Sequence, residues 1–343
     1  LEKGLAKILE LDETEKFNLQ SGDEDIHTKI ENFLTEFSGE VGKKIHTGRS
    51  RNDQILTALR LYSKAELIKI KQETKLLIKT FKKFKKQYGY ILMPGYTHMQ
   101  KAMPSSIGLW IGSFIANLKD DIKMLEGVYN LIDQSPLGSA AGYGLPIKLD
   151  KKYTAELLSF KKVQENSIYC QQSRGKFEAM ILAVLIQILL TINKFSSDIL
   201  LFTTQEFDFL SPSDSITTGS SIMPQKKNVD IAELLRSKVH LVLGNYTQVV
   251  SLSSNLISGF NRDLQDSKKP LMESFDTTLQ SLKATKILTA NIKPNQSKLQ
   301  AAMTEELFAT KKALKLVAQG TSFRDAYQQI GKNYVKGGEQ NEK

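Results

Sequence analysis

Apolar residues recur at helical spacing along most of the chain, and few segments alternate with period two over a useful length. The first forty residues read as helices and short connections; from Asp25 to Phe37 (DIHTKIENFLTEF), Ile26, Ile30, Phe33, Leu34 and Phe37 share one stripe. A polar, glycine-containing loop follows from Ser38 to Asp53. Beyond it, Leu67, Ile70, Leu77, Phe81, Phe84 and Tyr88 recur at spacings of three, four or seven, which predicts one helix of about ten turns. Gly89 and Pro94 end it. Further helices are expected from Ser105 to about Ile132, opened by Pro104, then from about Val163 to Phe209, Val229 to Leu256 and Leu271 to Ile292. The stretches MPGYTHMQKAMPSS and SPLGSAAGYGLP read as loops, punctuated by proline and glycine. The pattern predicts an all-α protein whose long helices need partners along their whole length.

Composition narrows the picture. The chain has 343 residues, of which 41% are hydrophobic and 24% charged, ordinary values that argue against disorder. A single cysteine, Cys170, excludes an internal disulfide framework and fits a reducing, cytoplasmic compartment. The apolar run Ala179–Ile192 is 14 residues long, short of the roughly 20 that span a bilayer, and reads as a buried core helix. Net charge is +10, with eight lysines between Lys69 and Lys86. Those lysines fill the polar faces of an amphipathic helix, and no nucleic-acid motif accompanies them, so neither nucleic acid nor membrane is an expected partner. The chain begins at Leu1 rather than methionine, which suggests a fragment whose N-terminal segment is missing.

Three polar islands interrupt the apolar helices. KKIHTGRSRNDQ carries His46, Thr47, Arg49, Arg51, Asn52 and Asp53; its guanidinium forks suit carboxylates, although a helix start capped by Asn52 or Asp53 would explain it equally. PGYTHMQ carries Thr97 and His98, a histidine that is either structural or a proton donor. TTGSSIMPQKKN carries Ser220, Ser221, Lys226, Lys227 and Asn228, either a helix-capped linker or a mobile loop whose free N–H groups hold an anion. Other arrangements are missing: no G-x-S-x-G elbow, no phosphate loop, and no metal-ligand spacing among His27, His46, His98, His240 and Cys170. Cationic clamps, a loop serine and a histidine suit removal of a proton next to a carboxylate. The charge then spreads onto that carboxylate, and fixed cations and N–H donors stabilise the transition state more than the ground state.

In this order the three islands resemble the signature regions of the aspartase/fumarase superfamily, GSSIMPQKKN most characteristically. HTGRSRNDQ and PGYTHMQ narrow the resemblance to the argininosuccinate lyase family and its δ-crystallin relatives, and it runs from about Asp23 to about Gly331. It implies a cofactor-free, metal-free β-elimination of argininosuccinate to fumarate and arginine, the last step of arginine biosynthesis. It also implies a homotetramer built around a twenty-helix core, with each active site assembled from three subunits. On the same resemblance, Ser220 takes the Cβ proton, His98 protonates the leaving guanidinium, Glu233 orients the histidine and Lys226 lies near the fumarate carboxylates. Asn52, Thr97, Asn228, Gln265 and Lys268 match substrate-binding positions, Arg51 a carboxylate contact, and Arg174 another. Phe260 stands where many members have tyrosine, Val229 where proline is usual, and Met99 where leucine is usual. The Phe260 change admits a relative acting on another succinyl-amine, and loss of chemistry would leave a δ-crystallin-like structural protein. The domains expected are residues 1–53, the remainder of a truncated N-terminal helical domain; 54–293, the long-helix bundle; and 294–343, the start of a small C-terminal domain.

Overall fold

In chain order the helices are α1 (Glu2–Glu13), α2 (Ile26–Ser38), α3 (Arg51–Tyr88), α4 (Ile107–Ile132), α5 (Lys151–Leu157) and α6 (Ser167–Gln172). They continue as α7 (Lys176–Phe202), α8 (Asp230–Leu252), α9 (Lys268–Ala290), α10 (Gln296–Ala302), α11 (Ala309–Ala318) and α12 (Phe323–Gly331). The structure, a computed structural model, describes residues 1–334. The apolar seam read along α3 is its buried face, with Leu67, Ile70, Leu77, Phe81 and Phe84 withdrawn from solvent while the lysines between them point outward. The run Ala179–Ile192 lies inside α7, where Leu182, Leu185, Ile188 and Leu189 are fully buried within the protein.

The described residues form two compact units. The first contains Leu1–Leu67, Gly127–Ile181 and Asn245–Met272. Here α2 starts at Asp25, whose carboxylate accepts the Thr28 N–H, and its stripe packs Leu34 against Ile8 and Phe17. Asp53 and Ser50 form the capping pair of α3: the Asp53 carboxylate accepts the Ser50 N–H at 3.0 Å. Its other oxygen accepts the N–H groups of Gly138 and Ala140 at 3.0 and 2.9 Å, which ties the glycine-rich loop to the helix start. One turn-pair further on, the buried Arg60 guanidinium donates to the Gln134 carbonyl and the Ser173 hydroxyl and lies over the Phe177 ring. Lys64 is held by Asp133, the Ser159 carbonyl and the Phe160 ring.

The second unit contains Ile68–Glu126, Leu182–Gly244 and the chain from Glu273. Its centre is aromatic: Phe195 of α7 meets Phe81 of α3 and Trp110 and Phe114 of α4 with ring centroids 4.9 to 5.8 Å apart. The Trp110 indole donates to Asp198 at 2.8 Å. Asp121 of α4 is buried, receives the Thr191 hydroxyl at 3.0 Å, and burial pushes its carboxyl from 3.8 up to about 6. The folded protein therefore keeps a proton that the unfolded chain has released between these two values, and stability falls as pH rises through that window. Asp121→Asn is expected to stabilise the protein by about 1–2 kcal/mol near pH 8 and by roughly nothing below pH 4, read from denaturant midpoints at the two pH values.

Two sequence readings are corrected. The stretch expected as a loop is a hairpin: β1 (Leu92–Thr97) pairs antiparallel with β2 (Gln100–Ser106), from Leu92 opposite Ser106 to Thr97 opposite Gln100. Pro104 faces Pro94 within it instead of opening α4, which starts at Ile107. Proline survives here because each strand of a two-stranded ribbon has a free edge. The helix expected from Val163 to Phe209 is broken into α6 and α7. Gly175 sits between them at φ +78°, and its N–H is taken by the Glu178 carboxylate at 2.7 Å, which caps α7. A Cβ at Gly175 would lie 2.0 Å from the Ser253 hydroxyl, so only glycine fits. The remaining pairings are short: β3 (Gln134–Ser135) with β4 (Lys162–Val163), β5 (Leu210–Pro212) with β8 (Ile292–Pro294), and β6 (Thr218–Gly219) with β7 (Lys227–Asn228). The all-α class stands, with these ribbons as connections.

Candidate active site

Ser220 leaves β6 at the start of a loop that returns through β7, with Thr218 opposite Asn228 and Gly219 opposite Lys227. Its hydroxyl oxygen accepts the Met223 N–H at 3.1 Å and the Ile222 N–H at 3.3 Å. Two main-chain donors aimed at one oxygen favour negative charge on it, which is what a serine base needs. The loop closes through the Lys226 N–H on the Met223 carbonyl. It is anchored by the Thr218 hydroxyl on Asp230, at the beginning of α8. Ser221, Ile222 and Lys226 are exposed, so the loop presents its serine and lysine outward. Val229, expected to loosen the loop's exit, is buried, and its carbonyl receives the Ala232 N–H. Glu233 is exposed in the first turn of α8, where the helix dipole favours a carboxylate.

His98 and Met99 are the two turn residues of the β1–β2 hairpin, with φ of +51° and +62°. Such a turn follows the twist of the strands but is adopted most easily by asparagine and glycine. Two ordinary side chains in left-handed backbone cost energy, and here that strain puts an exposed imidazole at the tip of the ribbon, next to the exposed Thr97. Ser220, Lys226, Asn228, Glu233, Thr97 and His98 all belong to the second unit.

The other expected substrate residues belong to the first unit. Arg51 and Asn52 occupy the first turn of α3, both half-buried. The Arg51 guanidinium is engaged on α2: it meets Glu24 at 2.6 Å and Asp25 at 3.1 Å and donates to the Thr28 hydroxyl at 2.7 Å. Glu24, with Asp25 behind it, raises the Arg51 pKa, so this arginine carries its charge firmly but shares it with internal carboxylates. Phe260, Gln265 and Lys268 lie half-buried along the segment that leads through a short 3-10 helix, Arg262–Ser267, into α9. Arg174 is 4% exposed and lines a cleft of about 400 Å³. Sequence reading missed two neighbours of that arginine, Gln171 on the cleft wall and the buried Glu178, because it ran one helix straight through this region.

Acid–base groups on exposed turns and cationic or amide groups on helix starts are the parts of a site that removes a proton beside a carboxylate. A family model described as lyase matches residues 1–244. The argininosuccinate lyase of Thermotoga neapolitana is 48% identical over 334 residues, which cover 97% of this chain and 84% of that protein. The argininosuccinate lyase of Phocaeicola vulgatus is 40% identical over 316 residues, 92% of this chain and 71% of that protein. Among solved structures, an EDDS lyase crystallised with formate superposes with a TM-score of 0.83 at 24% identity, over 96% of this chain and 65% of that one. The class II fumarase of Schistosoma mansoni gives 0.73 at 17% identity, over 88% of this chain and 74% of that one. Fold and signature loops thus define a lyase of the aspartase/fumarase type. Within that class the chain belongs to the argininosuccinate lyase family.

Proposed function

We propose that this chain is a cytoplasmic carbon–nitrogen lyase that converts argininosuccinate reversibly to fumarate and arginine. The observation that carries the mechanism is the Ser220 hydroxyl, whose oxygen receives two main-chain N–H groups on a lysine-bearing loop. Ser220 takes the Cβ proton of the succinyl half. The electron pair spreads onto the adjacent carboxylate, and loop N–H groups, Lys226 and the first-unit cations quench the developing dianion. The carbon–nitrogen bond then breaks, and His98, oriented by Glu233, gives a proton to the departing guanidine nitrogen. Asn52, Thr97, Asn228, Gln265, Lys268 and Arg51 hold the substrate. No metal or cofactor takes part in this scheme.

The protein acts as a homotetramer whose sites combine loops from three subunits. Support comes from apolar side chains that the single chain leaves in solvent, such as Leu234 and Leu241, seven residues apart on one face of α8, and Leu109 on α4. Dilution below the assembly threshold is expected to abolish turnover, followed by sedimentation and fumarate absorbance on the same samples. An active monomer would refute the shared site. Purified protein given argininosuccinate should release fumarate and arginine in equal amounts, and no release would refute the activity. Phe260 favours a second reading, in which another succinyl-amine such as adenylosuccinate is the substrate; the same assay with that compound decides between them.

A further inference from the structure

The cleft beside Arg174 is rich in donors and poor in acceptors. Its wall contains Gln171, 2% exposed, and Arg174, 4% exposed. Among the described residues, the Gln171 Nε2 and the Arg174 Nε and Nη2 are buried with no hydrogen-bond partner. Three donors in that condition on one wall are costly, since each unmade bond forfeits the full desolvation of its group. Glu178 does not relieve them. Its Oε2 is occupied by the Gly175 N–H, and burial pushes its carboxyl above the usual carboxylate range, so it is a weak counter-charge. A second cation, Lys176, lines the same cleft, and no carboxylate does. The opposite side is aliphatic, formed by Val250, Leu256 and Leu264.

We infer that this cleft is a carboxylate-binding site that takes the α-carboxylate of the arginine half of the substrate. The inference rests on the argininosuccinate reading and deepens it. The two succinyl carboxylates flank the bond that breaks and belong beside the acid–base groups. The third carboxylate stands beyond a chain of three methylenes, and needs both a cation and an apolar wall for that chain. Arg174 offers the planar fork, Gln171 an amide donor, and the aliphatic side covers the methylenes.

The test runs the reaction in the direction of addition, with fumarate plus either arginine or argininamide, which keeps the guanidine and loses the negative charge. The wild-type assembly is expected to show a KM about 10- to 100-fold higher for argininamide, the range of a charge-assisted hydrogen-bond pair. Arg174→Gln is expected to collapse that ratio to within about threefold, and Arg174→Lys to restore part of it. A purely structural role would raise both KM values together and leave the ratio intact, which overturns the proposal. A wild-type ratio near one overturns it too, whether or not the variants fold. If Arg174→Gln dissociates the assembly while Arg174→Lys keeps the full wild-type ratio, the cleft holds an acidic side chain of a second copy and the proposal fails. Absence of any addition to arginine by the wild type is a different result: it removes the argininosuccinate reading, and this inference with it.

Discussion

Ser220→Ala is expected to lower kcat on the order of 10³-fold or more while the assembly sediments unchanged. The side chain contributes one hydroxyl on a half-exposed loop, and its only printed partners are the N–H groups of Ile222 and Met223, which can turn to water when it is gone. Stability should therefore move by no more than about 1 kcal/mol. Because the oxygen is lost from the reacting position, KM should change far less than kcat. Stopped-flow fumarate absorbance on the variant, with circular dichroism as the control for folding, measures both. Turnover within tenfold of wild type would show that another group takes the proton.

Asp53→Ala should produce the largest loss of stability, about 3–5 kcal/mol. The Asp53 carboxylate is fully buried and receives three main-chain N–H groups, from Ser50, Gly138 and Ala140. Truncation uncaps α3 and frees the glycine-rich loop in one step, leaving buried donors without an acceptor. Asp53→Asn keeps one carbonyl oxygen and should lose roughly half as much. Urea unfolding of both variants checks this, and equal losses would mean that shape rather than charge holds the loop. Since Asn52 and Arg51 stand in the same first turn, a loosened cap should also raise KM in the folded fraction.

The long helices were legible because a seven-residue apolar repeat sustained over many turns admits one interpretation, and α3 buries the residues its spacing named. The hairpin that carries His98 was not. Its strands hold two prolines and a glycine and show no clean alternation, so only the pairing of Leu92–Thr97 with Gln100–Ser106 reveals it. Asp53 was visible as a helix-start residue, as the first polar island allowed. Its second task was hidden, because Gly138 and Ala140 lie 85 and 87 positions away and nothing local marks that reach. The serine loop stood out as a polar island between apolar helices, but its charge-stabilising geometry depends on main-chain directions that letters do not encode. The break at Gly175 escaped for a similar reason. Apolar periodicity continues through it, and the steric demand comes from Ser253, far along the chain.

The ribbon that ends at Thr97 and Gln100 also limits how this enzyme can evolve. Side chains on paired strands alternate between faces, so one additional amino acid at the tip would send the imidazole to the wrong side, or slip every pairing behind it. Insertions, which surface connections usually absorb, are closed to this one: its length is under selection as strictly as its histidine.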